Sequence, residues 1–483
     1  MNNLNFLVDV LKESPVFKTL EKNVKPGRTV CASGLSTINK SNIIYALCRL
    51  KGVTAFCLAS DEKEAQTLCN DLSCMGLRAY VYPVRDFNFL DFQSRSHEYE
   101  HARLKVLLKL INHECDVAIA CVDAAAQLTV PRNVLEQSVI EFEEGRELSL
   151  EKATKALTLL GYERFDAVEG SGQFSLRGGI LDFFMPDSDY PVRCEFWGDE
   201  ITDLSYFDIE TQRRFKKADK ITLSPSTEIV IEDRAALADK IEHKAKLLRS
   251  KNSAKAKEKL FSEAELIRSG AMIANADKFI NQIYDKPESL FDYLDRNTLV
   301  FASEFTAIQE RGKSMDFISN ETLMQGFEDG TLCRGFDRFA LTFNECTEFL
   351  QSHGTIVLEN FVHGSMPIKL SEIISFSTKQ LSAWGGSYKQ LKEDVDGLFT
   401  PESKGVIFAG TERAAKNLCD TFNADGINAV YSEGADKISK GELLVMQGAL
   451  SAGFEYPSQK FFAITYSQVS YRPEKSKKKK KKT

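Results

Sequence analysis

The sequence predicts an α/β protein: a discontinuous parallel-sheet domain, a small α+β domain inserted into it, and a further α/β domain toward the C-terminus. Three observations carry this. Short β-rich runs alternate with amphipathic helical stretches from residue 28 onward, a meander punctuated by Gly, Pro and Asp interrupts them, and the alternation then resumes. A chain of 483 residues is long enough for about three domains.

The elements follow in order. "RTVCASG", "VTAFCLAS", "LRAYVYP" and "DVAIACV" read as strands, separated by the helical stretches "NKSNIIYALCRLKG", "DEKEAQTLCNDLSCMG" and "HARLKVLLKLINH". Regular βα alternation means a parallel sheet with helices on both faces. After "AAAQLTVP" come "QFSLRGGILDFFMP" and "YPVRCEFWGDEITDLSYFD", the meander, assigned to residues 124–213. Charge-dense helices fill 214–290, and "TLVFASEF" at 298–305 reads as a buried strand able to complete the first sheet. The first domain is then 1–123 plus 214–345. "GTIVLEN", "KGVIFAG", "INAVYSE", "GELLVMQG" and "KFFAITYS" build a domain at 346–468, and 469–483 is a basic tail.

Charge narrows the function. The net charge is −7, but residues 475–483, "KSKKKKKKT", hold seven lysines and no acid, so the remainder stands at −7 − 7 = −14. So acidic a body is a poor general binder of nucleic acid, whose affinity comes chiefly from phosphate neutralisation. The lysine run reads as a solvated linker. Eleven cysteines without a C-x-x-C pair predict reduced thiols and no structural zinc. With no secretory signal and no apolar run long enough to span a membrane, a cytoplasmic location is expected.

"GLSTINKS", residues 34–41, has the outline of a phosphate-binding loop. Gly34, Lys40 and Ser41 fit that motif, but Asn39 replaces the second glycine, where a Cβ obstructs close approach of phosphate. The magnesium-binding acid expected at the end of a buried strand is also displaced, because Ser303 precedes Glu304 there. The loop is therefore expected to survive as a scaffold. "HEYEH", His97 to His101, matches a zinc-protease motif but lacks a third ligand and places Glu100 between the histidines, so it reads as a chance match. No catalytic site and no metal site is predicted. In the meander, alternation turns Phe174, Leu176, Val192, Cys194 and Phe196 inward, and Ser175, Arg177, Arg193, Glu195 and Trp197 outward. This face reads equally as a protein-binding surface or as ordinary cross-strand ion pairing.

"GYERFDAVEGSGQFSLRGGILDFFMP" followed by "YPVRCEFWGDEITDLSYFDIETQRR" resembles a stretch shared by UvrB-type excision-repair helicases and the transcription-repair coupling factor (Mfd) family. "SLFDYLDRNTLVFASE" is similar to the family segment that ends in the nucleotide-site acid, with Ser303 in its place. The resemblance implies a RecA/helicase-like sheet. Broken nucleotide motifs, and a segment "YPVRDFNFLDFQSRSHEYEHARL" too short for UvrB's DNA-inserting hairpin, point to the UvrB-like N-terminal region of the coupling factors. The weaker match over 346–465 implies their third, species-variable domain. The small domain would dock UvrA, with Arg164 and Arg177 as matching arginines, Glu195 as an acid of the same surface and Trp197 as an apolar contact. Ser175 stands where UvrB carries a further arginine. No cofactor is expected in this stretch; ATP and magnesium would serve the parent's translocase motor, and the parent would reach RNA polymerase and DNA through further C-terminal domains that also mask the UvrA site. The alternative is an ATP-driven DNA helicase subunit of the UvrB kind.

Overall fold

A computed structural model describes residues 4–85, 97–248, 254–270, 276–362, 366–385 and 387–466. The lysine tail and residues 86–96 of the segment read as too short for a hairpin lie outside these residues.

Two helices, α1 (Asn5–Lys12) and α2 (Pro15–Asn23), precede the first sheet. The chain then lays down β1 (Val30–Ser33), α3 (Thr37–Lys51), β2 (Ala55–Ala59), α4 (Glu62–Cys74), β3 (Ala79–Tyr82), α5 (Glu98–Ile111) and β4 (Val117–Cys121). It leaves this sheet for an inserted unit. Here β5 (Ile140–Glu143) pairs with the closing strand β12 (Lys220–Leu223). Between them lie β6 (Glu163–Arg164), β7 (Gln173–Arg177), β8 (Ile180–Phe183), β9 (Val192–Trp197), β10 (Glu200–Phe207) and β11 (Arg214–Lys217), a six-stranded sheet in the order β11-β10-β9-β8-β7-β6. The chain returns through charge-dense helices to β13 (Leu299–Ser303), β14 (Thr355–Leu358) and β15 (Glu372–Ser375).

The first sheet is parallel throughout, in the order β15-β1-β14-β13-β2-β4-β3. Helices α3 and α4 cover one face through Ile43, Leu47, Ala65 and Leu68. On the other face lie α5 and the helices Phe305–Asp329 and Phe343–His353, through Leu104, Leu107, Ile308 and Leu350. Burial on both sides is why its strands read as unbroken apolar runs. The last unit has β16 (Lys379–Leu381), β17 (Lys404–Phe408), β18 (Ala429–Ser432), β19 (Glu442–Met446), β20 (Gly453–Tyr456) and β21 (Phe461–Thr465), ordered β16-β20-β21-β17-β19-β18. Its Phe408, Leu444, Phe454 and Phe461 share one apolar cluster with α1 and α3, and the Phe6 and Phe461 rings lie 6.2 Å apart.

Two boundaries differ from the sequence reading. "GTIVLEN" was assigned to the domain beginning at 346, but β14 pairs with β1 and β13 at the heart of the first sheet, and β15 extends that sheet's edge. An apolar run shows that a strand is buried on both faces, not which sheet it joins. The inserted unit spans the β5–β12 pair, from 140 to 223, rather than 124–213: the closing strand, with the polar residues Lys220 and Thr222 on its exposed side, falls in the stretch that the sequence assigns to charge-dense helices.

The insert is fastened where it leaves the body. Glu228, fully buried, accepts from Arg103 Nε at 2.6 Å and Thr129 Oγ1 at 2.8 Å, and pairs with Arg85 at 3.2 Å. Glu100 accepts from Thr227 Oγ1 and Glu228 N, both at 2.8 Å, and His101 Nε2 meets Ser226 Oγ at 3.0 Å. The "HEYEH" turn thus serves as a bracket for the insert's exit. Among the described residues no cluster of His, Cys, Asp and Glu is arranged to hold a metal ion.

Candidate functional site

Two tight hairpins build the insert's exposed face. In the first, Gly178-Gly179 joins β7 to β8 directly after Arg177; in the second, Gly198-Asp199 joins β9 to β10 directly after Trp197. Gly178 and Gly198 adopt φ of 62° and 65°, which two-residue hairpin loops favour and glycine supplies without strain. Because Ile180 pairs with Glu195 across β8 and β9, both tips fall at the same end of the sheet. The inner face packs Phe174, Leu181, Phe183, Val192, Cys194 and Phe196 against Ala153 and Leu157 of the helix Leu150–Leu159.

On the outer face Asp182, 1% exposed, anchors two arginines. Its carboxylate accepts from Arg193 Nε and Nη2, each at 2.8 Å, and from Arg177 Nη2 at 2.9 Å. Arg193 also lies over the Phe207 ring, 4.4 Å from its centroid, so it is locked into the sheet. Arg177 remains half exposed. Glu195 is paired with Arg214, which also reaches Asp203 at 2.9 Å. Trp197 is 82% exposed, the most solvent-facing of the large apolar side chains among the described residues. Arg193 and Glu195 are engaged within the sheet, as the ion-pairing reading expects, whereas Arg177, tied to Asp182 by one nitrogen, and Trp197 project.

Two site expectations are corrected. Ser175 is buried and donates to the Asp166 carbonyl at 2.8 Å, because the loop after β6 folds over that part of the sheet. Arg164 is exposed on the edge strand β6, but its register partner is the inward-facing Phe174, which places it on the opposite side of the sheet from Arg177. Its neighbour Phe165, 44% exposed, falls on the Arg177 side and was not anticipated.

The Gly34–Ser41 stretch lies where a phosphate loop would, between β1 and α3, yet its first two amides and its lysine are already engaged. Gly34 N and Leu35 N donate to the Asn360 and Glu359 carbonyls at 3.2 and 3.0 Å. Gly34 has φ of +78°, and a Cβ there would stand 2.3 Å from the Phe376 carbonyl oxygen, so backbone covers the loop. Asn39 is buried and accepts from Ser36 Oγ at 2.7 Å. Lys40, with 2% of its side chain exposed, donates to Glu304 Oε1 at 2.6 Å, Ser303 Oγ at 2.8 Å and Glu64 Oε1 at 3.2 Å. Ser303 in turn donates to Glu64 at 2.6 Å. Ser41 turns away, toward the Thr37 carbonyl and Asp71. The arrangement does not fit a magnesium-bound triphosphate: carboxylates occupy the lysine, carbonyls occupy the Gly34 and Leu35 amides, and the Phe376 backbone covers the start of the loop.

Burial would raise the Glu64 carboxyl, but the Lys40 ammonium and the Ser303 and Ser60 hydroxyls hold it below the usual carboxylate range. Glu359 is pushed the other way, first by burial and then by the neighbouring Glu304. Glu304 itself sits at φ +56° as the N-cap of the following helix, a conformation unusual for a side-chain-bearing residue. Glu64 and Glu359 carry no signal in the sequence, since each is one acid among many.

The architecture is that of a RecA-like parallel sheet carrying an interaction domain, and residues 140–229 match the UvrB interaction domain. Over 473 residues, 95% of its length, the chain is 26% identical to the transcription-repair-coupling factor of Bacillus subtilis. It is 25% identical over 424 residues to that of Staphylococcus epidermidis and 22% identical over 491 residues to that of Staphylococcus aureus, covering 84% and 99% of this chain. The matched stretches span 40%, 35% and 41% of those three proteins, so this chain spans about two fifths of the curated relatives it matches. The resemblance to the UvrB-like region of the coupling factors thus extends along nearly the whole sequence. No helix among the described residues is long and apolar enough to cross a membrane.

Proposed function

We propose that this chain is the recruitment module of a transcription-repair coupling factor, docking UvrA through the hairpin end of its inserted sheet. In this reading Arg177 and Trp197 are the projecting contacts, Arg164 engages from the sheet edge, and Glu195 with Arg214 keeps the face charged and ordered. The observation that carries the proposal is the meeting of Arg177 and Trp197 at one end of the sheet inside the matched domain. Arginine and tryptophan are enriched among residues that dominate interface energy. The chain itself is read as not turning over ATP; RNA polymerase, DNA and ATP-driven translocation would belong to the longer parent, whose other domains would cover the docking face at rest.

Titration of UvrA with the chain and with Arg177→Ala, Trp197→Ala and Arg164→Ala tests this. Each of the first two is expected to cost about 2 kcal/mol, roughly 30-fold in Kd. Unchanged affinity in the triple variant would refute the assignment. DNA-stimulated ATP hydrolysis abolished by Lys40→Ala would instead favour a UvrB-like helicase subunit.

A further inference from the structure

A second feature lies at the opposite end of the first sheet's strands. In open parallel sheets ligands gather at the carboxyl ends of the strands, which here is where Gly34–Ser41 lies. At the amino ends of β1, β13 and β14 a cleft of about 260 Å³ opens between the α2–β1 connection, the end of α3, the segment before β13 and the turn before β14. Its rim carries Lys25, Arg28, Lys51 and Arg296, and no acidic residue lines it. In a chain with 69 acids against 62 Lys and Arg, four cations around one opening are a local reversal of sign. Among the described residues, Lys25, Lys51 and Arg296 make no ion pair. Arg28 reaches Glu372 only at 3.4 Å, and its buried Nε has no acceptor. The floor is apolar, formed by Val53, Leu299 and Ile356.

From this geometry we infer that the cleft is a docking site for an acidic protein segment, one apolar side chain of which fills the floor while its carboxylates meet the four cations. The cavity is smaller than the roughly 300–1,000 Å³ of sites that enclose a whole small ligand, but suits one anchoring side chain. Charge complementarity favours a carboxylate-bearing partner and steers its approach. A nucleic acid would need a continued phosphate track beyond the four cations of this one opening. Lys51 also lies in the last turn of α3, where a cation complements the helix dipole; that accounts for one of the four charges, not for their convergence from separate segments. The inference is independent of the UvrA reading, since the cleft belongs to the first sheet and not to the insert.

The test uses the full chain and two fluorescein-labelled peptides, EDEFDED and EDESDED, followed by anisotropy at about 50 and 300 mM salt. EDEFDED is expected to bind saturably and more weakly at the higher salt, and the serine peptide at least about fivefold more weakly, because it lacks the anchor. The exposed double variant Lys51→Glu/Arg296→Glu, shown folded by an unchanged melting temperature, is expected to lose at least about tenfold in affinity. Three results would each overturn the inference: no saturation by EDEFDED up to about 1 mM, a Kd that corresponds to only about 4 kcal/mol of binding; equal binding by the double variant; or displacement of the peptide by a single-stranded 12-mer oligonucleotide at lower concentration than by unlabelled peptide.

Discussion

Replacing Lys40 distinguishes a sealed loop from a working one. In the folded chain its ammonium is enclosed by Glu64, Glu304 and Ser303, with the Lys40 and Glu64 side chains 2% and 10% exposed. Removing one partner of a buried ion pair commonly costs 3–5 kcal/mol, because the other charge is left without compensation. Two features place Lys40→Ala toward the low end. Glu304 keeps its contact with Asn360 N at 3.0 Å, and Glu64 keeps its hydrogen bonds from Ser60 and Ser303. The expected loss is therefore about 3 kcal/mol, or a fall in Tm of about 6–12 °C for a unit of this size. An open phosphate loop behaves otherwise: losing a solvated lysine costs within about 0.5 kcal/mol, and its signature is lost stabilisation by nucleotide. Thermal melts of wild type and Lys40→Ala, each with and without magnesium-ATP, read both quantities. The triple variant Lys40→Met/Glu64→Gln/Glu304→Gln, which neutralises the whole cluster, is expected to recover most of the loss. A Lys40→Ala melt within about 1 °C of wild type, or a wild-type melt raised by magnesium-ATP only when Lys40 is present, would refute the reasoning.

Burial pushes the Asp71 carboxyl up to about 6, against the pull of its hydrogen bonds from Ser451 and Ser41. The native state therefore holds this proton more tightly than the unfolded chain, and stability falls as pH rises from about 4 to about 6, by an amount on the order of 3 kcal/mol. Asp71→Asn should flatten that part of the stability–pH curve, and an unchanged curve would remove Asp71 as its source. Gly34→Ala should cost more than Gly52→Ala, although both glycines have positive φ, because a Cβ at Gly34 meets the Phe376 carbonyl while one at Gly52 meets nothing within 4 Å. The expected figures are above about 2 kcal/mol and about 1 kcal/mol, by chemical denaturation, and equal costs would mean that the loop is not covered. Asp182→Ala should release Arg177 and Arg193 together and lower hydrogen-exchange protection across β8 and β9 by about 3 kcal/mol; undiminished protection would show that the arginines hold without it.

The first sheet was legible because parallel strands buried on both faces leave unbroken apolar runs, as in "TVCAS" and "TAFCLA", with helical periodicity between them. The insert's inner face was legible for the complementary reason: one wet face imposes alternation, and Val192 to Trp197 follows it residue by residue. What escaped depends on partners distant in sequence. Glu64 lies 24 residues from Lys40 and 239 from Ser303, and no local pattern announces that it joins them. Ser175 obeys the alternation but is covered by a loop, which alternation does not register. Arg164 sits on a strand of two residues, too short for its facing to be read without the pairing to Phe174. The pairing of β14 with β1 and β13 is likewise a matter of register between distant segments.

The bracket around Glu228 constrains how the hairpin end can be regulated. The polypeptide entering the insert is also tied down, by Thr129 N to the Glu288 carbonyl and Arg132 N to the Glu288 carboxylate, both at 2.7 Å. Both of its stalks are therefore tied to the body by hydrogen bonds and ion pairs where the chain crosses. On the proposed reading, concealing and revealing Trp197 would fall to whatever arrives over it and departs, and a tug on a bound partner would pass into the larger sheet through these two clamps.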